Sequence, residues 1–145
     1  MSVDDILELI DQAMPVEGVT LSGGEPFVQA SGLVHLAEAV RDRGLSVMAF
    51  TGFELEELTT PDQRRLLELL DIVVTGRFVA SLKRTDLRWR GSSNQAVHFR
   101  SKRCRGDVEG DAAAVEVTLD GRGGVRITGF PTASLLVQIR VGITQ

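Results

Sequence analysis

The spacing of apolar positions predicts that helices and strands alternate through the first half of the chain. Apolar residues recur at helical intervals in three stretches, which predicts one helix capped by Ser2, one over residues 29–43 and one capped by Thr60. Short β-branched and apolar runs predict strands at 18–22, 45–50 and 71–75. Because strands that alternate with helices form parallel sheets, we expect an α/β fold. The second strand is nearly all apolar, so we expect it to be buried on both faces.

The pattern is weaker in the second half of the chain. Residues 77–95 are typical of an ordered loop and residues 96–99 of a short strand. Apolar and polar residues alternate over 115–119 and 124–128, on either side of the Asp-Gly-Arg-Gly run at 120–123. This arrangement predicts a β-hairpin.

The remaining C-terminal stretches predict no regular element. Residues 100–111 are charged and contain glycine, so we expect a mobile connection, and the tail at 133–141 is apolar enough to pack. We therefore divide the chain into a main unit, residues 1–99, and a hairpin-containing extension, residues 100–145, which belongs to the same domain or is appended to it.

Composition is that of an ordinary globular protein. The chain has 145 residues, of which 43% are hydrophobic and 25% charged. No apolar run approaches the roughly 18 residues needed to span a bilayer, and the acidic N-terminus does not resemble a signal peptide. The single cysteine, Cys104, excludes an internal disulfide. We therefore expect a cytoplasmic protein.

The net charge of −4 conceals a basic segment, defined here as residues 83–105. This segment holds eight lysines and arginines and one acid, Asp86, whereas acids predominate in the rest of the chain. One interpretation is a docking surface for an anionic partner. The other is a solvated loop whose arginines pair with nearby acids.

The most informative segment is a strand that ends in two glycines, a carboxylate and a proline. Residues 19–26 read Val-Thr-Leu-Ser-Gly-Gly-Glu-Pro. Glycines let a ligand approach the backbone closely, their carbonyls accept hydrogen bonds, and Glu25 adds a negative charge. Since α/β sheets bind ligands at the carboxyl ends of their strands, this turn suits an ammonium group. Taken alone, the four residues from Gly23 to Pro26 are also typical of a plain structural turn.

This segment closely resembles the S-adenosylmethionine motif of radical SAM enzymes, and three further motifs follow in the family's order. Residues 50–58 look like the next strand end and helix of glycyl-radical activating enzymes, and residues 71–78 look like the following strand. Residues 90–95, Arg-Gly-Ser-Ser-Asn-Gln, resemble a signature of the anaerobic ribonucleotide reductase activating proteins. The resemblance covers about residues 1–99 and extends to the pyruvate formate-lyase activating enzymes.

The resemblance implies an S-adenosylmethionine site at the strand ends. Its cofactor-binding residues would be Ser22, Gly23, Gly24, Glu25, Pro26, Thr51, Gly52 and Thr75. The family often has an acidic residue where Thr75 stands. The resemblance gives no chemical task to Asn94 and Gln95.

The family's chemistry also needs a 4Fe-4S cluster. In the family, three cysteines of a Cys-x-x-x-Cys-x-x-Cys loop hold the cluster, which cleaves S-adenosylmethionine to a radical that abstracts hydrogen from a glycine of the partner enzyme. That loop precedes the Gly-Gly-Glu motif, whereas the only cysteine of this sequence is Cys104. The resemblance therefore implies a partial (β/α) barrel of radical SAM type lacking its first βα unit, with a small C-terminal β-hairpin extension. We expect such a chain to be inactive and to bind S-adenosylmethionine weakly.

The resemblance also implies partners. These are a glycyl-radical enzyme, in the first place the anaerobic ribonucleotide reductase, and an electron donor such as flavodoxin. Neither a membrane nor a nucleic acid is expected as a partner. Without a preceding strand, the strand at 19–21 is either unpaired or covered by the first helix; because an exposed apolar edge promotes association, we expect a dimer or a tendency to aggregate.

Other interpretations stay open. The chain would be a non-catalytic truncated paralogue if the basic segment binds a protein or nucleic acid. Alternatively, Met1 is an internal residue of a complete enzyme whose gene begins further upstream. Cys104 is either a reactive thiol among cations or a lone loop thiol. We expect Trp89 to pack against the sheet, although a ring in a basic loop is also typical of base stacking.

Overall fold

A computed structural model describes residues 2–84 and 86–104, together with the backbone of two C-terminal strands. In chain order, the helices are α1 (Val3–Gln12), α2 (Ala30–Asp42) and α3 (Pro61–Leu69), and the strands are β1 (Gly18–Leu21), β2 (Ser46–Phe50), β3 (Ile72–Thr75), β4 (Ala96–Phe99), β5 (Val115–Leu119) and β6 (Val125–Gly129). Short 3₁₀ turns cover Pro26–Gln29, Leu55–Glu57 and Ala80–Leu82.

Two of the predicted helix starts are confirmed by their capping contacts. At the start of α1 the Ser2 side chain accepts from the Asp5 backbone, and the Asp5 carboxylate accepts from Ser2 N at 2.6 Å. This backbone hydrogen bond from Ser2 lowers the pKa of the Asp5 carboxyl below its usual value. At the start of α3, Thr60 and Gln63 form the same reciprocal pair around Pro61 at the first helical position.

The sheet places the three predicted strands next to one another in chain order. The order is β1-β2-β3-β4, with parallel pairing from β1 to β3 and antiparallel pairing between β3 and β4. The α/β prediction is therefore confirmed as a four-stranded mixed sheet with three helices among the described residues. Among the described residues β1 pairs only with β2, so it is an edge strand of this sheet.

The predicted β-hairpin is also confirmed, although its second strand begins and ends one residue later than predicted. Strands β5 and β6 pair antiparallel as a separate two-stranded sheet, with Val117 opposite Ile127. The mobile connection expected beyond residue 104 and the packing expected for 133–141 lie outside the described residues.

The core lies between the helices and one face of the sheet. Alternation along the strands brings Leu21, Val47, Ala49 and Val73 to this face, where they are buried. Helices α2 and α3 contribute buried residues to the same cluster, namely Ala30, Leu36, Ala37, Val40, Leu66 and Leu69. Residues Val3, Ile6, Leu7 and Ile10 of α1 pack against it from the partly buried rim.

The prediction that β2 is buried on both faces is wrong. Val47 and Ala49 are buried, but the alternate residues, Ser46, Met48 and Phe50, are only partly buried. The strand that is buried along its whole length is β3. The difference arises because the helix-free face over β2 opens into a cavity of about 330 Å³ that Ser46 and Met48 line.

The helix-free face is partly covered by the loop before β4. Trp89 lines the cavity together with Ile72 and Phe99, and its ring centroid lies 6.1 Å from that of Phe99. The packing role expected for Trp89 agrees with this contact. In the part of the chain that the structure describes, no helix is long and apolar enough to cross a membrane.

Candidate functional site

The carboxyl ends of the three parallel strands are joined into one edge. Thr51 N, just after β2, donates to Val74 O of β3 at 2.9 Å. Gly76 N, just after β3, donates back to Phe53 O at 3.1 Å. The Gly-Gly-Glu turn follows β1 at the same edge, because all three strands run parallel. The edge therefore has the location at which α/β sheets bind ligands.

The turn after β1 presents free backbone groups to solvent. Gly23 and Gly24 have φ values of +83° and +58°, in the region that favours glycine, and both are exposed along with Ser22. A side chain at Gly23 would meet nothing within 4 Å, so the space above the turn is open. Among the described residues, no hydrogen bond uses the carbonyls of residues 22–24. These carbonyls are available to a donor such as an ammonium group.

The Glu25 carboxylate ties the ends of β1 and β2 together. Its Oε1 accepts from Thr51 Oγ1 at 2.8 Å and from Phe27 N at 3.2 Å. Its Oε2 accepts from Gly52 N at 2.9 Å. The sequence predicts that this carboxylate adds a negative charge for an ammonium group, and in the structure both of its oxygens already have protein partners. Its negative charge nevertheless stays beside the open glycine turn.

Two charged residues at this edge were missed by the sequence reasoning. A Cβ on Gly52 would lie 3.6 Å from both Arg77 Cγ and Glu25 Oε2, so both side chains lie next to Gly52. A Cβ on Gly76 would lie 3.1 Å from Glu54 Oε1. The Arg77 side chain is exposed and makes no hydrogen bond or ion pair with the described residues. The sequence feature that could have identified Arg77 and Glu54 is that each lies shortly after the end of a predicted strand.

The other predicted site residues differ in accessibility. Thr51 is buried, and its hydroxyl donates to Glu25 while accepting from Phe53 N at 3.1 Å. Pro26 is also buried, as the first residue of the 3₁₀ turn. Thr75 is buried, and its hydroxyl lies 3.0 Å from His98 Nε2 of β4. The ligand contact expected for Thr75 stays a prediction.

The basic segment has local partners for several of its cations. Arg84 pairs with Asp86, and the guanidinium lowers the pKa of that carboxyl. Arg100 Nε donates to Leu67 O at 3.0 Å, and Arg103 Nη1 donates to Leu45 O at 3.4 Å. These contacts favour the interpretation of a solvated segment with local pairing over that of a docking surface.

The described residues do not fit a 4Fe-4S cluster. Such clusters are usually held by cysteine thiolates, and the whole sequence has one cysteine, Cys104. Cys104 lines the cavity on the helix-free face together with Glu17 and Gly18, at the opposite ends of the strands from the glycine turn. Between residues 2 and 104, position 85 excepted, no group of three histidines, cysteines or acids is placed to hold a metal ion. No step is therefore derived through a cluster on this chain.

Fold and site together define the class: an α/β protein whose parallel strands end at one edge beside an open glycine turn. Residues 2–98 match the family model described as a 4Fe-4S single cluster domain. The chain belongs to this family, within the group of activating proteins for anaerobic ribonucleotide reductase. The family is named for a cluster, although residues 2–98 of this chain contain no cysteine.

The chain is similar to several proteins named anaerobic ribonucleoside-triphosphate reductase-activating protein. The relative from Escherichia coli K12 is 36% identical over 97 residues, which cover 64% of this chain and 62% of the relative. The relative from Haemophilus influenzae is 31% identical over 105 residues, covering 66% of this chain and 67% of the relative. The chain thus spans about three fifths of the length of the Escherichia coli protein. No solved structure matches the chain.

Proposed function

We propose that this chain forms the S-adenosylmethionine-binding part of an activating protein for a glycyl-radical enzyme, the anaerobic ribonucleotide reductase. One observation carries the proposal. The open Ser22–Gly24 turn lies at an edge where three parallel strand ends are joined and where Glu25 adds a negative charge. The names of the relatives support the reaction class and the partner.

The groups of this edge match the two charges of an amino acid. The free carbonyls of Ser22, Gly23 and Gly24 would accept from the ligand's ammonium group, and the nearby Glu25 charge would stabilise it. The unpaired Arg77 guanidinium would bind the ligand's carboxylate. Thr51 and Gly52 would act through Glu25, which they hold in place. When bound, S-adenosylmethionine supplies the 5′-deoxyadenosyl group used by this class of enzyme.

Equilibrium dialysis with labelled S-adenosylmethionine tests the binding site. We expect weak binding by the unaltered chain and about tenfold weaker binding after Arg77→Met, because a charge-assisted hydrogen bond is lost. Arg64→Met is the matched control, since Arg64 is exposed and its side chain has no partner among the described residues. Absence of binding at millimolar ligand, or equal affinities for the Arg77 and Arg64 variants, would overturn the proposed site.

We also propose that this chain does not generate a radical by itself. Cluster ligands would have to come from residues outside this sequence, because one thiolate cannot replace three. An electron donor such as flavodoxin would then act on the cluster-bearing assembly. Anaerobic reconstitution with iron and sulfide should leave the chain without a stable cluster and without cleavage of S-adenosylmethionine. A stable four-iron cluster would contradict this part of the proposal.

The sheet is proposed to be part of a (β/α) barrel of radical SAM type, with the free edge of β1 as the site of further pairing. Exposed strand edges promote association, so we expect the isolated chain to form dimers at high concentration. Light scattering after size-exclusion chromatography measures this. Thr20→Lys places a charge on the exposed residue of β1 and should restore the monomer. A monomer at every concentration of the unaltered chain would contradict self-association.

A further inference from the structure

The loop from Arg90 to Gln95 is bonded to the segment that follows β3. Gln95 Nε2 donates to Gly76 O at 3.0 Å. Its Oε1 accepts from Gly91 N at 2.9 Å and from Ser92 N at 3.2 Å, so one amide bridges the loop and the end of β3. Gln95 therefore uses both ends of its side chain inside the protein.

Asn94, the residue before Gln95, makes the equivalent contact to the next backbone carbonyl after β3. Its Nδ2 donates to Arg77 O at 2.8 Å. Two successive carbonyls, those of Gly76 and Arg77, thus each accept from a side-chain amide of the same loop.

Gly76 shows how closely the loop and the strand end are packed. It is buried with φ +95°, and a Cβ there would lie 3.5 Å from Gln95 Cα and 3.6 Å from Asn94 O. The backbone of the loop therefore lies directly against the glycine. Because this packing restricts the backbone at Gly76, it also restricts the direction in which the Arg77 side chain leaves the backbone.

We propose that Asn94 and Gln95 are positioning residues, which hold the backbone of Gly76 and Arg77 so that the Arg77 side chain passes beside Gly52 at the strand-end edge. The inference rests on the proposed function, in which Arg77 binds the carboxylate of S-adenosylmethionine. It gives a task to the Arg-Gly-Ser-Ser-Asn-Gln motif, for which sequence reasoning found none. Neither amide contacts the ligand in this proposal.

The test compares Asn94→Ala and Gln95→Met with Ser93→Ala. Ser93 lies in the same loop, is exposed, and contributes only a backbone hydrogen bond to Leu82 O, so it is a matched control. The first readout needs no ligand: backbone order parameters of Gly76 and Arg77 from ¹⁵N relaxation. We expect the backbone order parameter of Arg77 to fall from the rigid range of about 0.85 towards about 0.6 in the two test variants, and not to change after Ser93→Ala.

The second readout is S-adenosylmethionine affinity in the presence and absence of the Arg77 side chain. Asn94→Ala should weaken binding about three- to tenfold, as expected for one lost hydrogen bond. In the Arg77→Met background the same substitution should have almost no effect, because the group it positions is gone. A purely structural role would give equal losses in both backgrounds.

The outcomes separate the two proposals. Unchanged order parameters in both test variants, or an affinity loss of the same size in both backgrounds, would overturn the positioning role. If the unaltered chain binds no S-adenosylmethionine, the proposed function fails. In that case a selective fall of the Arg77 order parameter still supports positioning of Arg77, and its absence still refutes it.

Discussion

Replacement of Glu25 by alanine should destabilise the protein even when no ligand is present. The carboxylate accepts three hydrogen bonds, from Thr51 Oγ1, Phe27 N and Gly52 N, and those from Thr51 and Gly52 join the ends of β1 and β2. Alanine removes all three and leaves the donors to water or to no partner. A residue that served only as a ligand contact would show no such effect.

The size of the loss follows from the geometry. A hydrogen bond to a charged group is worth about 1.5–3 kcal/mol when buried, and Glu25 is only partly buried, so about 1 kcal/mol each is appropriate. Glu25→Ala should therefore cost about 3 kcal/mol, a large part of the roughly 5–15 kcal/mol that stabilises a domain. Glu25→Gln retains an acceptor for Thr51 and Phe27 but turns an amide donor towards Gly52 N. We therefore expect it to lower the free energy of unfolding by about 1–2 kcal/mol.

Urea unfolding of the ligand-free protein, followed by circular dichroism, measures these losses. With a slope of about 1.5 kcal/mol per M, the Glu25→Ala midpoint should fall by about 2 M. Glu56→Ala is the control, because Glu56 is exposed and has no partner among the described residues, and it should change stability by less than about 0.5 kcal/mol. A Glu25→Ala value within that same limit, or equal losses for the alanine and glutamine variants, would refute the role of Glu25 as a strand clamp.

Three further outcomes follow from the described contacts. Gly18→Ala should lower the free energy of unfolding by more than about 2 kcal/mol in the same urea assay. The reason is that the new Cβ would overlap with Ser46 Oγ and with the backbone oxygen of Ser46. An unchanged urea midpoint would contradict the close approach of β1 and β2. Gly76→Ala should cost about 1–3 kcal/mol through its φ of +95° and its contact with the Glu54 carboxylate, and a neutral result would be incompatible with that conformation. The capping contribution of Asp5 should be present at neutral pH and lost as the pH falls below about 4, because the folded-state pKa is lowered by Ser2 N. Amide exchange of α1 against pH measures this, and the same acid-induced loss in Asp5→Asn would refute it.

Local signals predicted the elements of the first half of the chain well. The caps at Ser2 and Thr60 depend on neighbours three residues away, so their chemistry is visible in the sequence. The strand before the glycine turn was equally visible from its β-branched and apolar run. The two glycines of the motif also predicted a backbone open to close approach, and the carbonyls of residues 22–24 have no hydrogen-bond partner among the described residues.

Long-range contacts explain what the sequence did not reveal. The partners of Glu25 just after the second strand are 26 and 27 residues away, so the engagement of its carboxylate has no local signal. Burial of a strand on its second face depends on what covers it, which is why β3 rather than β2 is fully buried. The antiparallel direction of β4 and the pairing of Gln95 with Gly76 likewise depend on how the loop after β3 returns.

Gln63 links the glycine turn to a helix that takes no part in the site. Its Oε1 accepts from Thr60 N at the start of α3, and its Nε2 donates to Phe27 O at 3.2 Å, two residues after Glu25. Local opening of the adjoining 3₁₀ turn, Pro26–Gln29, therefore breaks a hydrogen bond to a side chain that the cap of α3 holds in place, which raises the free energy of that fluctuation. The amides of Phe27 and Val28, which donate to Glu25, should exchange their hydrogens more slowly than those of an exposed loop normally do. A ligand would then meet a preorganised surface and lose little affinity to the ordering of the protein.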